Sequence, residues 1–380
     1  DPSTEIVLSL DRMSAIEDVD PSGNTMLVQA GCILVDAQRA AQGAQRLFPL
    51  SLGAEGSCRI GGNLSTNAGG INVIRYGNAR DLVLGLEVVL ADGRVWNGLN
   101  RLRKDNTGYD LKHLFLGAEG TLGIITRAVL KLFPRPKERL TAWLACTSPD
   151  MCLRALNRLR SRLGDAILAG EILPAIALDQ TLQHIEGTKA PISPSPAWSL
   201  LVEVGVFDEA GAVRDTMDFV LSELLGQEIV YDGVVAQNYE QSAKFWKIRE
   251  SVPEAETKSG PSIKHDVSVP VDRVAELIER GSALLQQLYP DSRPVPFGHL
   301  GDGNLHFNLC APLAVVGDPV AEQHFLEAWD DINRAFHDLV GELGGSISAE
   351  HGIGRLKRDE LQRTADPVGL DLMRAVKAAL

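Results

Sequence analysis

The 380-residue sequence predicts an α+β protein of more than one domain, and three observations carry that expectation. Its length exceeds the roughly 250–300 residues at which a single core stops growing. In its first third, β-rich runs enclose a concentration of glycine: 14 of the 36 glycines lie between Gly53 and Gly123. Beyond Pro134 and Pro136, helical and strand patterns alternate.

In chain order, "EIVLSLDRM" predicts a strand over 6–10 followed by a turn. "GSCRIGGNLSTNAGG", residues 56–70, has no helical apolar stripe and reads as a loop whose backbone can approach a ligand closely. The alternative for that segment is a flexible linker, but the β-rich runs on its C-terminal side are those of a packed sheet. "LVLGLEVVLADGRVW" predicts a hairpin turning at Ala91-Asp92-Gly93, and "GIITRAVLKLF" a further strand after "LGAEGT". "PRPKE" marks a domain boundary. After it come a strand over 140–145, a helix over 151–163, the connection "APISPSPAW" and a strand over 199–206. Phe325, Trp329, Ile332, Phe336, Leu339 and Leu343 recur at spacings of four and three, predicting one amphipathic helix ended by Gly344 and Gly345. His324 and His337 on it are expected at its surface or boundary.

Composition narrows the function. The chain is 44% hydrophobic and 23% charged, and no apolar run approaches the roughly 20 residues of a membrane span. A formal charge of −13 and a pI near 5.1 argue against a nucleic-acid partner. Small acids remain possible substrates if a local basic pocket exists. Five cysteines without a C-x-x-C pair point to a reducing compartment, hence the cytoplasm. The start at Asp1 carries no charged-then-apolar leader, and a segment is expected to be missing upstream.

The chemistry concentrates in "GHLGDGNLHF", residues 298–307. Asp-Gly between apolar runs predicts a two-residue hairpin loop at Asp302-Gly303, which would oppose His299 to His306 and turn Asn308 to the same face. Opposed Cβ atoms lie roughly 4.5–5.5 Å apart, so the two imidazoles either share a metal ion or are merely solvated. Downstream, "SISAEHGIGR" places Glu350 and His351 in a short strand running into a glycine turn. Two histidines and a carboxylate leave coordination positions open, as catalytic metals require. Zinc is the first choice, although manganese, cobalt or ferrous iron suit the same ligands, and an open iron site would suggest an oxygenase.

Five ordered segments, "GAEGSCRIGGNLSTNAGG", "RYGNARDLVLGLEVVLADG", "RKDNTGYDLKHLFLGAEGTLGIIT", "PFGHLGDGNLHFNL" and "AEHGIGRLK", resemble the FAD-dependent D-2-hydroxyacid dehydrogenases of the vanillyl-alcohol-oxidase flavoprotein fold. The resemblance covers nearly the whole chain. It implies an FAD-binding domain over 1–134, a cap domain over 135–343 that carries substrate and metal, and a segment over 344–380 returning to the flavin. FAD contacts are implied at Gly56, Ser57, Ile60, Gly61, Gly62, Ser65, Thr66, Asn67, Gly69, Gly70, Tyr76 and Gly77, and at Glu119, Gly120, Gly123, Ile124 and Ile125. His299, His306 and Glu350 match the family's metal ligands, and His351 its catalytic base, with a fourth metal ligand as the alternative role. Arg249, Lys264 and Asn308 match substrate-binding positions; from the residues alone, the first two would be a helix-surface arginine and a solvated lysine.

Two departures stand out. The family's glycine-rich pyrophosphate loop should precede "EIVLSLDRM" and is not in the sequence, so the FAD domain is expected to be incomplete. Pro253, one helical turn after Arg249, replaces a hydroxyl-bearing residue and cannot donate to a second carboxylate. The implied reaction is oxidation of a D-2-hydroxy acid such as D-2-hydroxyglutarate or D-malate, with D-lactate the alternative. Electrons would pass on to an electron-transfer flavoprotein or a quinone, and the chain could form a homodimer. Rivals from other classes are an iron oxygenase, a metal hydrolase or a non-catalytic binding module.

Overall fold

A computed structural model describes residues 5–207 and 211–380. The chain divides into two compact units: Asp1–Asn72, Tyr76–Arg135 and Glu350–Leu380 form the first, and Val73–Arg75 with Pro136–Ala349 the second.

The first unit is built on a five-stranded antiparallel sheet. Its spatial order is Ile16–Asp20, Thr25–Gln29, Ile124–Lys131, Val83–Val89 and Val95–Gly98. The last two strands form the expected hairpin. Leu90 donates to Arg94 across it, Asp92 Oδ1 accepts from the Arg94 amide, and Gly93 supplies φ +86° at the turn. The helix Leu34–Gly43 buries Leu34, Ala37 and Ala41, a stripe with the spacing of one helix face.

Two expectations fail in this unit. Residues 6–10 form no strand, and Ile6 and Val7 are 97% and 92% exposed. A β-rich pattern fixes no strand without a sheet neighbour to pair with. The segment 56–70 is not all loop, because Ile60–Ser65 forms a short helix that buries Ile60 and Leu64. Gly61 explains the packing: a Cβ there would sit 2.7 Å from that of Ala30, so only glycine lets this turn rest on the end of its neighbouring strand.

The second unit contains an eight-stranded antiparallel sheet. Its main path runs Asp232–Val235, Glu138–Cys146, Trp198–Val206, Ile167–Pro174, Arg293–His299, Asn304–Cys310 and Ser262–Ile263, and Asp266–Ser268 also pairs with Asn304–Cys310. Strand alternation separates two environments. Leu140, Ala142 and Leu144 pack in one core with Leu156 of Pro149–Leu163, Val220 of Ala212–Gly226 and Phe336 of Trp329–Glu342. Thr141 and Trp143 face the other way, where they meet Ser242 and Phe245 of the helix Tyr239–Glu250. That second face carries the polar residues of interest.

The amphipathic stretch near the end of this unit is two helices rather than one, Pro319–Glu327 and Trp329–Glu342, separated at Ala328. Asp318 caps the first through the amides of Val320 and Ala321. No side chain explains the break at Ala328. His337 is buried rather than at the surface, edge-on to His265 with ring centroids 6.0 Å apart.

Candidate active site

The hairpin carrying the two histidines has a different register from the one its Asp-Gly pair predicts. Its strands are Arg293–His299 and Asn304–Cys310, so the loop is four residues long and His299 opposes Asn304, while His306 opposes Phe297. Neighbouring structure draws Leu300 and Gly301 out of the ladder. Leu300 is fully buried, the Gly301 amide donates to Gly170 O, and the Gly303 amide closes the loop onto His299 O. His299 and His306 are therefore diagonal neighbours on one face, with ring centroids 5.7 Å apart. Asn304 and Asn308 share that face by alternation.

The strand Ile167–Pro174 runs alongside and pairs Glu171 directly with His299. Glu171 is 1% exposed. Its Oε1 accepts from His299 Nδ1 at 2.8 Å and its Oε2 from Arg249 Nε at 2.7 Å. Burial alone would push this carboxyl upward in pKa, but His299 and Arg249 outweigh it and hold the group at about 2. Arg249 is not the surface residue its helix position suggested. It is 6% exposed and lies 5.0 Å over the Phe297 ring. Lys264 is exposed, in the link between Ser262–Ile263 and Asp266–Ser268.

Asn308 is buried and donates through Nδ2 to Glu256 Oε2 at 2.6 Å. Glu256 belongs to the helix Val252–Lys258, which Pro253 opens, and it is 0% exposed. Its Oε1 has no hydrogen-bond partner among the described residues. Burial pushes the Glu256 carboxyl up to about 7, against the pull of Asn308, Lys264 and Arg249.

The chain leaves this unit through Ala349, whose amide donates to Asp266 O, and Glu350 is the next residue. The expected strand around it reduces to one bridge, Ser268 to Ser346. Carried on that peptide bond, Glu350 places a carboxylate oxygen with ligand atoms of His299 and His306 so that all lie within 4.8 Å of one another. Two imidazoles and a carboxylate at this spacing fit a divalent ion. His351 follows and is exposed.

In the first unit the glycine-rich segments pack against each other. Gly117 and Glu119 donate their amides to Leu64 O and Ser65 O. Asn67, at φ +52°, accepts the Arg80 amide on Oδ1. Glu119, itself at φ +53°, takes the amides of Ile353 and Gly354 at 2.7 Å each. Its side chain is thus committed to the protein. Gly70 lies where a Cβ would collide with Ser51 O. Gly56 and Gly62 differ: neither has a positive φ, and a Cβ on either would meet no protein atom within 4 Å. Packing does not require glycine there, so the bare backbone fits an approaching ligand such as a flavin cofactor. Gly69, Tyr76, Gly77, Gly123, Ile124 and Ile125 flank the same segments, with Tyr76 and Ile125 buried. Ser57, Thr66 and Gly120 are exposed.

Family models match residues 2–98 as an FAD binding domain and residues 135–380 as the C-terminal domain of FAD-linked oxidases. The chain belongs to the FAD-linked oxidase family. It is 37% identical over 378 residues to a mitochondrial D-2-hydroxyglutarate dehydrogenase of Arabidopsis thaliana, covering 99% of this chain and 65% of that protein. A mitochondrial relative of the same name from Rattus norvegicus is 38% identical, with 99% and 68% covered. One from Xanthomonas citri is 38% identical, with 99% and 77% covered. This FAD-linked oxidase chain thus spans about two thirds to three quarters of the lengths of these relatives. Among solved structures, p-cresol methylhydroxylase with substrate bound aligns at TM-score 0.69 and 16% identity over 97% of this chain and 76% of that one. 4-Ethylphenol oxidase from Gulosibacter chungangensis aligns at 0.68 and 17%, over 98% and 77%. The fold is that of the vanillyl-alcohol-oxidase-type flavoproteins.

Glu171 and Glu256 escaped the sequence reading. Glu171 had a signal, since it is the one charge in "AILAGEILPA", a run otherwise suited to a buried strand. Glu256 had none, as "ESVPEAETK" reads as an ordinary acidic helix. No described helix is long and apolar enough to cross a membrane.

Proposed function

We propose that this protein oxidises a D-2-hydroxy acid to the 2-oxo acid. The supporting observation is the cluster of His299, His306 and Glu350, followed directly by an exposed imidazole and flanked by the buried Arg249, in a chain of the FAD-linked oxidase family. FAD, when bound, supplies the acceptor for the hydride leaving C2. A divalent ion, zinc by preference, supplies Lewis-acid polarisation where His299, His306 and Glu350 would hold it. The residues do the rest. Arg249 and Lys264 hold carboxylate, Asn308 contacts the substrate's polar end, and His351 takes the hydroxyl proton as the C2–H bond breaks. Electrons then leave to a flavoprotein or quinone acceptor.

The names of the relatives favour D-2-hydroxyglutarate, and two cations suit a dicarboxylate. D-Lactate is the second reading, favoured by Pro253, which offers no side-chain donor. Flavin and zinc contents of the purified protein, with turnover of D-2-hydroxyglutarate, D-malate and D-lactate against an artificial acceptor, test the assignment. Bound flavin that is reduced by hydroxyglutarate and far more slowly by lactate is expected. Absence of flavin with retained metal would favour a hydrolase or oxygenase. If Arg249→Ala loses no more activity on hydroxyglutarate than on lactate, Arg249 does not read the distal acid.

A further inference from the structure

The geometry points to Glu171 as the positioning residue that fixes His299 as a metal ligand through Nε2 while holding Arg249 beside it, an inference that rests on the metal site proposed above. Glu171 sits mid-strand in Ile167–Pro174, where every residue is buried, so it has no solvent to satisfy it. It is directly opposite His299 in the sheet, and its two oxygens are divided between two donors, His299 Nδ1 at 2.8 Å and Arg249 Nε at 2.7 Å. A carboxylate that receives an N–H from Nδ1 leaves the imidazole lone pair on Nε2. A second-sphere carboxylate of this kind fixes the ring's orientation and raises its basicity, and removing one typically costs about 10–100-fold in metal affinity. The same group neutralises Arg249 inside the protein, where an unpaired cation would be strongly unfavourable. One buried carboxylate therefore serves both the metal side and the substrate side of the site.

A glutamine at this position cannot replace it. Both neighbours are donors, a carboxylate has two acceptor oxygens, and an amide has one. The charged Arg249 takes the stronger bond to that oxygen, so the amide NH₂ turns to His299, which must then accept at Nδ1 and carry its proton on Nε2. Glu171→Gln in the full-length, flavin-loaded protein is therefore expected to bind zinc roughly 10–100-fold more weakly in chelator competition, with its metal-free melting temperature lowered because Arg249 loses its counter-charge. Where the single variant does not fold, E171M/R249M carries the test, because an apolar pair of similar volume commonly preserves stability when it replaces a buried ion pair. It should show the same zinc loss, since His299 again lacks its acceptor. His299→Ala is measured alongside. Zinc affinity unchanged in the Glu171 variants but lost in His299→Ala would overturn the role of Glu171 and leave the metal site standing. Zinc affinity unchanged in His299→Ala would overturn both.

Discussion

At the scale of single residues, the proposed mechanism separates groups that hold from groups that react. His351 is exposed and next to a proposed ligand, whereas His299 is buried against a carboxylate. A base in that position gives a definite expectation. His351→Asn should lower turnover roughly 10²–10⁴-fold while flavin and zinc contents stay at wild-type level, and loss of zinc would make His351 a ligand instead. Glu256 gives a second. Burial lifts its carboxyl from 4.5 to about 7, so the folded protein keeps a proton that the unfolded chain releases. Stability from this group is complete below pH 4.5 and is lost as pH rises through 7, by about 3 kcal/mol if no other group compensates. Glu256→Gln keeps an oxygen for Asn308 and has nothing to titrate. Urea midpoints at pH 5 and pH 8 should differ less in the variant than in wild type, and equal differences would place the titration elsewhere.

At the scale of elements, legibility followed how local the cause was. The 83–98 hairpin, the helix Pro149–Leu163 and the long strands at 138–146 and 198–206 were readable because turn residues, a helical pattern and β-rich runs lie within the segments themselves. The hairpin Arg293–Cys310 was readable in kind but not in register, since the bond from the Gly301 amide to Gly170 O and the burial of Leu300 decide it from outside the hairpin. Its loop closes on a glycine that has no alternative. Gly303 has φ +84°, and a Cβ would stand 2.1 Å from Val269 O. Gly303→Ala should cost at least about 1–3 kcal/mol, lower the melting midpoint and weaken zinc binding, because the strand end it displaces carries His299 and Asn304. A variant with wild-type stability and zinc affinity would show that the loop relaxes freely. Glu171 and Arg249 could be paired only by the fold, 78 residues apart as they are.

At the scale of the whole molecule, each unit has its own sheet, and the first contains the segment that matches an FAD binding domain. Anything that binds the native state alone stabilises it by RT ln(1 + [L]/Kd), about 2.7 kcal/mol at a hundredfold excess over Kd. Calorimetry should therefore show FAD raising a transition that belongs to the first unit and leaving a second one in place, with unfolding departing from two-state behaviour. A single transition that FAD shifts as a whole would mean that the units melt together. The net charge of −13 makes the site's exposed cation matter more: binding of a dicarboxylate should weaken with ionic strength, as screening reduces what the exposed Lys264 contributes.

The grip of Glu119 on Ile353 and Gly354 spans more than two hundred residues of sequence and is made by one side chain. It has a bearing on protease susceptibility. Just beyond it lie Arg355, Leu356 and Lys357, with Leu356 96% exposed, so trypsin's preferred bonds adjoin a segment held by two amides on one carboxylate. Cleavage needs the backbone to open locally, and its rate follows the population of that open form. Glu119→Ala should therefore shed the helix Pro367–Ala379 under limited trypsin digestion several-fold faster than wild type, before the rest of the chain is attacked.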